Sequence, residues 1–333
     1  MKILITGGAG FIGSNLAYAL LSRSHEVTIY DNLSRKFVEK NLGWLKTNSK
    51  NGKLNIVIDD VRNKTSIEKA VKGKDAIFHL AAQTAVTQSI KNPVDDLEIN
   101  ILGTINVLEA IRKYTPNALA AYSSTNKVYG NLDYLRYTQT KSRFVFLDKQ
   151  FSAGISESFP LEFDSPYSCS KGVADQYFCN YSRMYGINSV IFRQSCVYGQ
   201  MQHGSEGQGW VTYFLKQILQ GKEIKIYGSG KQVRDILHID DLTRAYLLVL
   251  KDSLKNGIVY NIGGGSNNTV SLLELINLIE KKYHKKAHYS LEKPRPGDQK
   301  IFFSDNKKIC EELGWKASIG IEEGLDKLYQ WLK

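Results

Sequence analysis

Cysteine is scarce and unpatterned. The four in this 333-residue chain, at 169, 179, 196 and 310, form no CxxC pair and no regular spacing, which excludes a zinc ribbon and a disulfide framework. Proline is scarcer still relative to average usage, at six, so no Pro-rich linker separates domains. No apolar run approaches the roughly 18 to 20 residues of a membrane span. The opening MKILIT reaches Gly7 and Gly8 before a signal-peptide core can form. Together these absences predict a cytoplasmic protein that does not engage membrane. His284 and His288 are four apart but have no third ligand beside them, so no metal site is expected.

What is present is ordinary for a packed protein: 42% hydrophobic, 11% aromatic and 23% charged residues. At about 150 residues per domain the length predicts two domains. Lys and Arg number 44 against 33 Asp and Glu, a formal charge of +11, which favours an anionic partner. No aromatic-rich basic motif such as an RNP box is present, so nucleic acid is not expected. Lysine pairs such as Lys281 with Lys282 and Lys285 with Lys286 fall on predicted helix surfaces and read as solvated charge.

Apolar runs alternate with amphipathic stretches through the first half: KILIT, a helical pattern from Phe11 to Leu21, EVTIYD, NIVID, DAIFHLAA, a helix over Ile99 to Lys113, and ALAAYSS. That order predicts an α/β fold, a doubly wound parallel sheet, with SVIFR as a further strand. Beyond it lie a Gly-rich stretch at 199 to 209, a helix from about Trp210 to Gln220, the strand IKIYG and the helix SLLELINLIEKKY, read as a smaller α/β lobe. The expected division is 1–192 plus about 235–262 for a dinucleotide-binding domain, and about 193–234 plus 263–333 for a substrate lobe.

KILIT runs into GGAGFIGSNLAYALL, with Gly7, Gly10 and Gly13 opening a helix. The first glycine permits a tight turn, the second lets backbone approach a pyrophosphate, and the third allows helix to pack on strand. The second strand ends in Asp31, 18 residues after Gly13, where a carboxylate accepts from ribose hydroxyls and repels a 2'-phosphate. NAD is therefore favoured over NADP, a preference that Arg35 and Lys36 soften. Asp60 and Val61 follow the third strand as an adenine edge; Leu80, Ala81 and Ala82 follow the fourth.

In SPYSCSKGVADQYF, Tyr167 and Lys171 are one helical turn apart. A free tyrosine, with a pKa near 10, is a poor base at pH 7; the ammonium of Lys171 and a positive nicotinamide ring are expected to favour its phenolate. The strand end YSSTNKVYG brings Ser123, Ser124 and Thr125 forward, where a hydroxyl can bond the oxygen that Tyr167 deprotonates. Gln83, after HLAA, faces either a bound ligand or its own loop backbone.

With these elements in order, the sequence resembles the extended short-chain dehydrogenase/reductase family of NAD-dependent nucleotide-sugar epimerases and dehydratases. The resemblance covers essentially the whole chain. It is carried by TGGAGFIG, DNLSR, HLAAQ, INILGTINVLEA, SSTNKVYG, PYSCSK, FRQSCVYG, KQVRDILHIDD and RPGDQK. It implies that Thr125, Tyr167 and Lys171 are catalytic. It puts Phe11, Ile12, Asn32, Ser34, Arg35, Gln83, Asn100 and Ser123 at the cofactor with the residues above. It puts Gln83, Ser124, Asn126, Arg193, Gln194, Gln208, Gly209, Trp210, Tyr227 and Asp298 at the substrate, and Arg234 and Arg295 on its diphosphate, which a planar guanidinium can grip through two oxygens.

Dehydratases of that family carry Asp-Glu after the catalytic threonine; this chain has Asn126 and Lys127. An amide cannot shuttle protons and an ammonium has the wrong charge, so elimination is disfavoured and oxidation with re-reduction remains. STNKVYG, RQSCVYG, QGWV and GKQVRDILH resemble most the epimerases acting at carbon 2 of a CDP-linked 3,6-dideoxyhexose, the expected substrate. A UDP-hexose 4-epimerase or another nucleotide-sugar epimerase or dehydratase is the nearest alternative, and a non-catalytic NAD- or RNA-binding relative a remote one. The family commonly pairs through two helices per subunit, which implies a homodimer or homotetramer.

Overall fold

In the computed structural model of the chain, which describes residues 1–49, 51–251, 257–295 and 297–333, the apolar runs become a seven-stranded sheet. Its strands are β1 (Lys2–Thr6), β2 (Glu26–Tyr30), β3 (Lys53–Val57), β4 (Ala76–His79), β5 (Leu119–Thr125), β6 (Ser189–Gln194) and β7 (Ile258–Ile262). They lie in the order β7-β6-β5-β4-β1-β2-β3, and the pairs from β5 through to β3 run parallel. Ile3, Leu4 and Ile5 are all fully buried, as expected of a strand covered on both faces. The fold is Rossmann-like, as the alternation predicts.

The chain divides into two compact units. The first comprises 1–125, 165–193 and 242–260; the second comprises 126–164, 194–241 and 261–333.

In the first unit, helix Phe11–Leu21 follows β1 directly, and Lys64–Val71, Gly103–Tyr114 and Pro166–Tyr185 enclose a core of residues such as Leu4, Ile67, Val107, Tyr122 and Phe178. Helix Pro166–Tyr185 is fixed at both ends. Ser165 and Ser168 form a reciprocal cap, Pro166 occupies the first turn, and Gly186 closes the far end at φ +70. The helix expected over 99–113 begins instead with a π-helical turn, Glu98–Leu102, before Gly103–Tyr114. Asn100 sits buried in that turn, a distortion often found at functional sites.

The second unit is built on Val233–His238, which pairs parallel with Cys196–Tyr198 and Ile301–Phe302 and antiparallel with Thr269–Ser271. Glu223–Tyr227 pairs with His288–Glu292. Helices Trp210–Leu219, Leu272–Tyr283 and Ile321–Leu332 close a separate core around Phe214, Ile218, Ile276 and Leu325. The units differ from the expected division at two places. Residues 126–164 group with the second unit because Tyr129 Oη donates to Asn261 Oδ1 at 2.7 Å and Gln299 Nε2 donates to Gly130 O at 2.6 Å. Residues 235–241 do so because they continue that unit's central strand. No helix among the described residues is long and apolar enough to cross a membrane.

Candidate active site

The glycine loop has the tightness that its spacing predicts. Gly7 adopts φ +68, and a Cβ there would come within 2.7 Å of Ala81 N; a Cβ on Gly13 would overlap Gly7 O. Gly10 caps the helix without a side chain and no acid lies in the first turn, so its N-terminal field stays available to an anion. Phe11 and Ile12 open the helix half-buried. Asp31 accepts from Ala9 N at 3.0 Å and Leu33 N at 2.9 Å, which braces the loop and leaves lone pairs for a diol. Burial raises its pKa against those bonds. Arg35 Nη1 donates to Thr84 Oγ1 at 3.0 Å, and Ser34 is exposed beside it. Backbone that only glycine permits, a helix end without a countercharge, and an acid with spare acceptors fit the diphosphate and ribose of NAD.

Two residues of the predicted adenine edge need correction. The Asp60 carboxylate accepts from Arg62 N, Nε and Nη2, each at 2.9 Å, and from Asn32 Nδ2 at 2.7 Å, which fills its four lone-pair sites. Hydrogen bonds from Arg62 hold its pKa at about 2. Val61 points into the core, where a Cβ on Gly103 would come within 2.6 Å of its Cγ2.

Tyr167 and Lys171 both lie buried on helix Pro166–Tyr185, and the Thr125 hydroxyl hydrogen-bonds the phenol. Lys171 Nζ donates to Ser123 O at 2.6 Å and stands 4.2 Å from the centre of the Tyr122 ring. The electrostatics differ from expectation. Burial pushes Tyr167 up to about 12; the bond from Thr125 and the charge of Arg35 act downward, and Asp96 acts upward. Burial pulls Lys171 down to about 7 against Asp175 and Asp96.

Three residues expected at the ligands hold the scaffold instead. Ser124 Oγ donates to Asp175 Oδ2 at 2.7 Å, and Arg193 grips the same carboxylate through Nε and Nη2, each at 3.0 Å. Gln83 donates from Nε2 to Ala85 O at 3.1 Å and to Asp96 Oδ1 at 2.7 Å, which holds its loop. Asn100 bonds the Gln83 main chain in both directions and Ser170 Oγ at 3.0 Å, tying the loop after β4 to the Tyr167 helix. Sequence reasoning missed Asp96 and Ser170; the available signal was an acid four residues before Asn100, one helical turn away on the same face.

In the second unit Asn126 Nδ2 donates to Gln299 Oε1 at 3.1 Å and Lys127 Nζ to Gly297 O at 3.3 Å. Burial pulls the Lys127 pKa down, with Asp298 opposing. Arg234, 6% exposed, donates to Val233 O, Asp298 Oδ1 and Gln299 O. Three of its five N–H groups are engaged, which leaves two for a diphosphate. Asp298 is held below its usual pKa: burial acts upward, but Arg234 and Lys127 outweigh it. Arg295 stacks 3.7 Å over the Tyr227 ring. Gln194 is buried; Gln208, Gly209 and Trp210 are half-buried, with Gly209 at φ +72 starting helix Trp210–Leu219. Pro296 of the RPGDQK motif lies outside the described residues.

The family described as GDP-mannose 4,6 dehydratase matches residues 4–328. The chain is 43% identical to CDP-paratose 2-epimerase of Salmonella typhi, over 99% of each. It is 30% identical to dTDP-glucose 4,6-dehydratase of Salmonella typhimurium, over 99% of this chain and 92% of that one. Among solved structures it resembles UDP-glucuronic acid 4-epimerase from Bacillus cereus, in complex with UDP-glucuronic acid and NAD. That match has a TM-score of 0.85 and 29% identity, and covers 100% of this chain and 99% of the other.

Proposed function

The chain belongs to the family described as GDP-mannose 4,6 dehydratase, and from that membership we propose that it is an NAD-dependent nucleotide-sugar epimerase converting CDP-paratose to CDP-tyvelose at carbon 2. The observation that carries the reading is one stretch of chain. Thr125 bonds the Tyr167 phenol, and the next two residues are Asn126 and Lys127. The base for oxidising an alcohol is present, and no carboxylate follows the threonine to take part in elimination. The likeness to CDP-paratose 2-epimerase over nearly the full length of both chains supports the substrate.

Bound NAD supplies the acceptor for the carbon-bound hydrogen and gives it back. Gly7, Gly10 and Gly13 hold its diphosphate and Asp31 its ribose. Tyr167 takes the hydroxyl proton of the sugar, with Thr125 bonded to the same oxygen. Buried Lys171, bonded to Ser123 O, fixes the helix turn that carries the phenol. The keto sugar that results turns over, and Tyr167 returns the proton when carbon 2 is reduced on its other face. Arg234 and Arg295 hold the nucleotide diphosphate while the sugar rotates. A homodimer or homotetramer belongs to the same reading: Leu97, Leu102, Tyr177 and Met184 are exposed on the Asn100 and Tyr167 helical segments, and light scattering measures the count.

CDP-paratose deuterated at carbon 2, and separately at carbon 4, tests the chemistry. A primary isotope effect from carbon 2 alone, with the label kept in the product, is expected. An effect from carbon 4, or label lost to water, overturns the reading in favour of another epimerase.

A further inference from the structure

Asp96 has no place in the steps above, yet it is a carboxylate 1% exposed on the short helix Pro93–Leu97. It accepts from Ser170 Oγ at 2.5 Å, Gln83 Nε2 at 2.7 Å and Asn100 Nδ2 at 3.2 Å. The Gln83 and Asn100 amide nitrogens can only donate, and Ser170 Oγ lies at hydrogen-bond distance from the other carboxylate oxygen, so both oxygens are held. Ser170 lies between Tyr167 and Lys171 in sequence, so the acid is anchored to the turn that bears both.

All three donors are neutral, and among the described residues no cation pairs with Asp96. Asp175, the other buried carboxylate acting on Lys171, is different: Arg193 binds it through two N–H groups and offsets its charge. Asp96 has no guanidinium bound to it; the cation that acts on it is Lys171 itself. The remaining groups around the pair are few. His79 on β4 is neutral, its pKa pulled by burial to about 3. Tyr122 on β5 lies under the ammonium, Arg35 acts on the phenol, and Asp95 neighbours Asp96. Burial raises the Asp96 pKa, and the bonds from Ser170 and Gln83 and the charge of Lys171 act against it.

We propose that Asp96 is a positioning residue of the epimerase, a fixed anion that sets the proton affinity of both Tyr167 and Lys171 while its bond to Ser170 holds their helix turn. The proposal rests on the reading of Tyr167 as the base. An anion raises the proton affinity of every group near it, so its removal moves both titrations the same way.

The test compares Asp96→Asn, Asp96→Ser, Asp96→Glu and Ser170→Ala. The amide fits the site: its oxygen meets Gln83 and Asn100, and its nitrogen meets Ser170, whose hydroxyl can accept. Asp96→Ser is the second neutral variant, and Asp96→Glu keeps the charge. Two readouts are taken: the pH profile of kcat, and the near-ultraviolet titration of the Tyr167 phenol, obtained by difference against Tyr167→Phe. In both neutral variants the limbs of the profile and the phenol titration move about one pH unit down. Ser170→Ala and Asp96→Glu lower the rate with limbs in place. A neutral variant whose phenol and limbs stay at wild-type pH, or a Ser170→Ala that shifts them equally, overturns the proposal. The phenol titration requires no sugar, so it decides the point even if CDP-paratose proves not to be the substrate.

Discussion

Thr6 Oγ1 lies 2.7 Å from His79 Nδ1, both fully buried on adjacent strands of the sheet. On its other side His79 Nε2 is 2.9 Å from Thr104 Oγ1, which itself donates to Asn100 O at 2.6 Å. Thr104 must therefore accept, so Nε2 carries the hydrogen and Nδ1 accepts from Thr6. Thr6 Oγ1 in turn accepts from Ala81 N at 3.3 Å. The neutral ring thus joins the loop beside the glycine turn to the π-helical turn of Asn100.

Burial holds the His79 pKa near 3 in the folded chain, whereas in the unfolded chain it is about 6.5. Between those values the unfolded state binds the additional proton. Stability due to this group is therefore complete above about pH 6.5 and falls as pH drops toward 3, by at most about 1.4 kcal/mol per unit. Urea midpoints between pH 4 and 7 should decline less steeply for His79→Gln than for wild type.

Arg193→Leu should destabilise strongly, because Asp175 would be left buried and charged. The expected loss is about 3 to 5 kcal/mol, read as a lower denaturation midpoint. The double variant Arg193→Leu with Asp175→Leu should recover part of it. A stable Arg193→Leu with only a raised KM would return Arg193 to the substrate.

Gly13→Ala puts a methyl against Gly7 O, so the loop must open. NAD affinity, measured by calorimetry, should fall at least tenfold, about 1.4 kcal/mol, while a change at Gly43, whose surroundings are open, leaves it unaltered.

Tyr167→Phe should reduce turnover by about 10²- to 10⁴-fold, the usual range for a lost general base, and leave NAD binding nearly intact. Unchanged turnover of nucleotide sugars would reinstate the non-catalytic alternative.

The parts of the site legible in the sequence are the local ones. Gly7, Gly10 and Gly13 share one turn, and Tyr167 and Lys171 share one helical face, so spacing alone locates them. The acceptors of Ser124, Arg193 and Gln83 lie 51, 18 and 13 residues away, and only the folded chain reveals that those side chains are committed. Asp60 differs: its partner Arg62 is two residues on, so that pair is visible in the sequence. The existence of strands β1 to β6 and their parallel, doubly wound arrangement followed from alternation; their order in the sheet did not. The division of the chain did not, because it depends on pairings such as Tyr129 with Asn261 that no periodicity encodes.

The two units alternate along the chain in six segments, with crossings after residues 125, 164, 193, 241 and 260. No single scission frees either one, and a ribosome must release the last segment before the second unit has all its pieces. Neither half is inheritable as a module. New specificity in such a chain is more readily reached by changes within segments than by exchange, since no contiguous block carries a whole core.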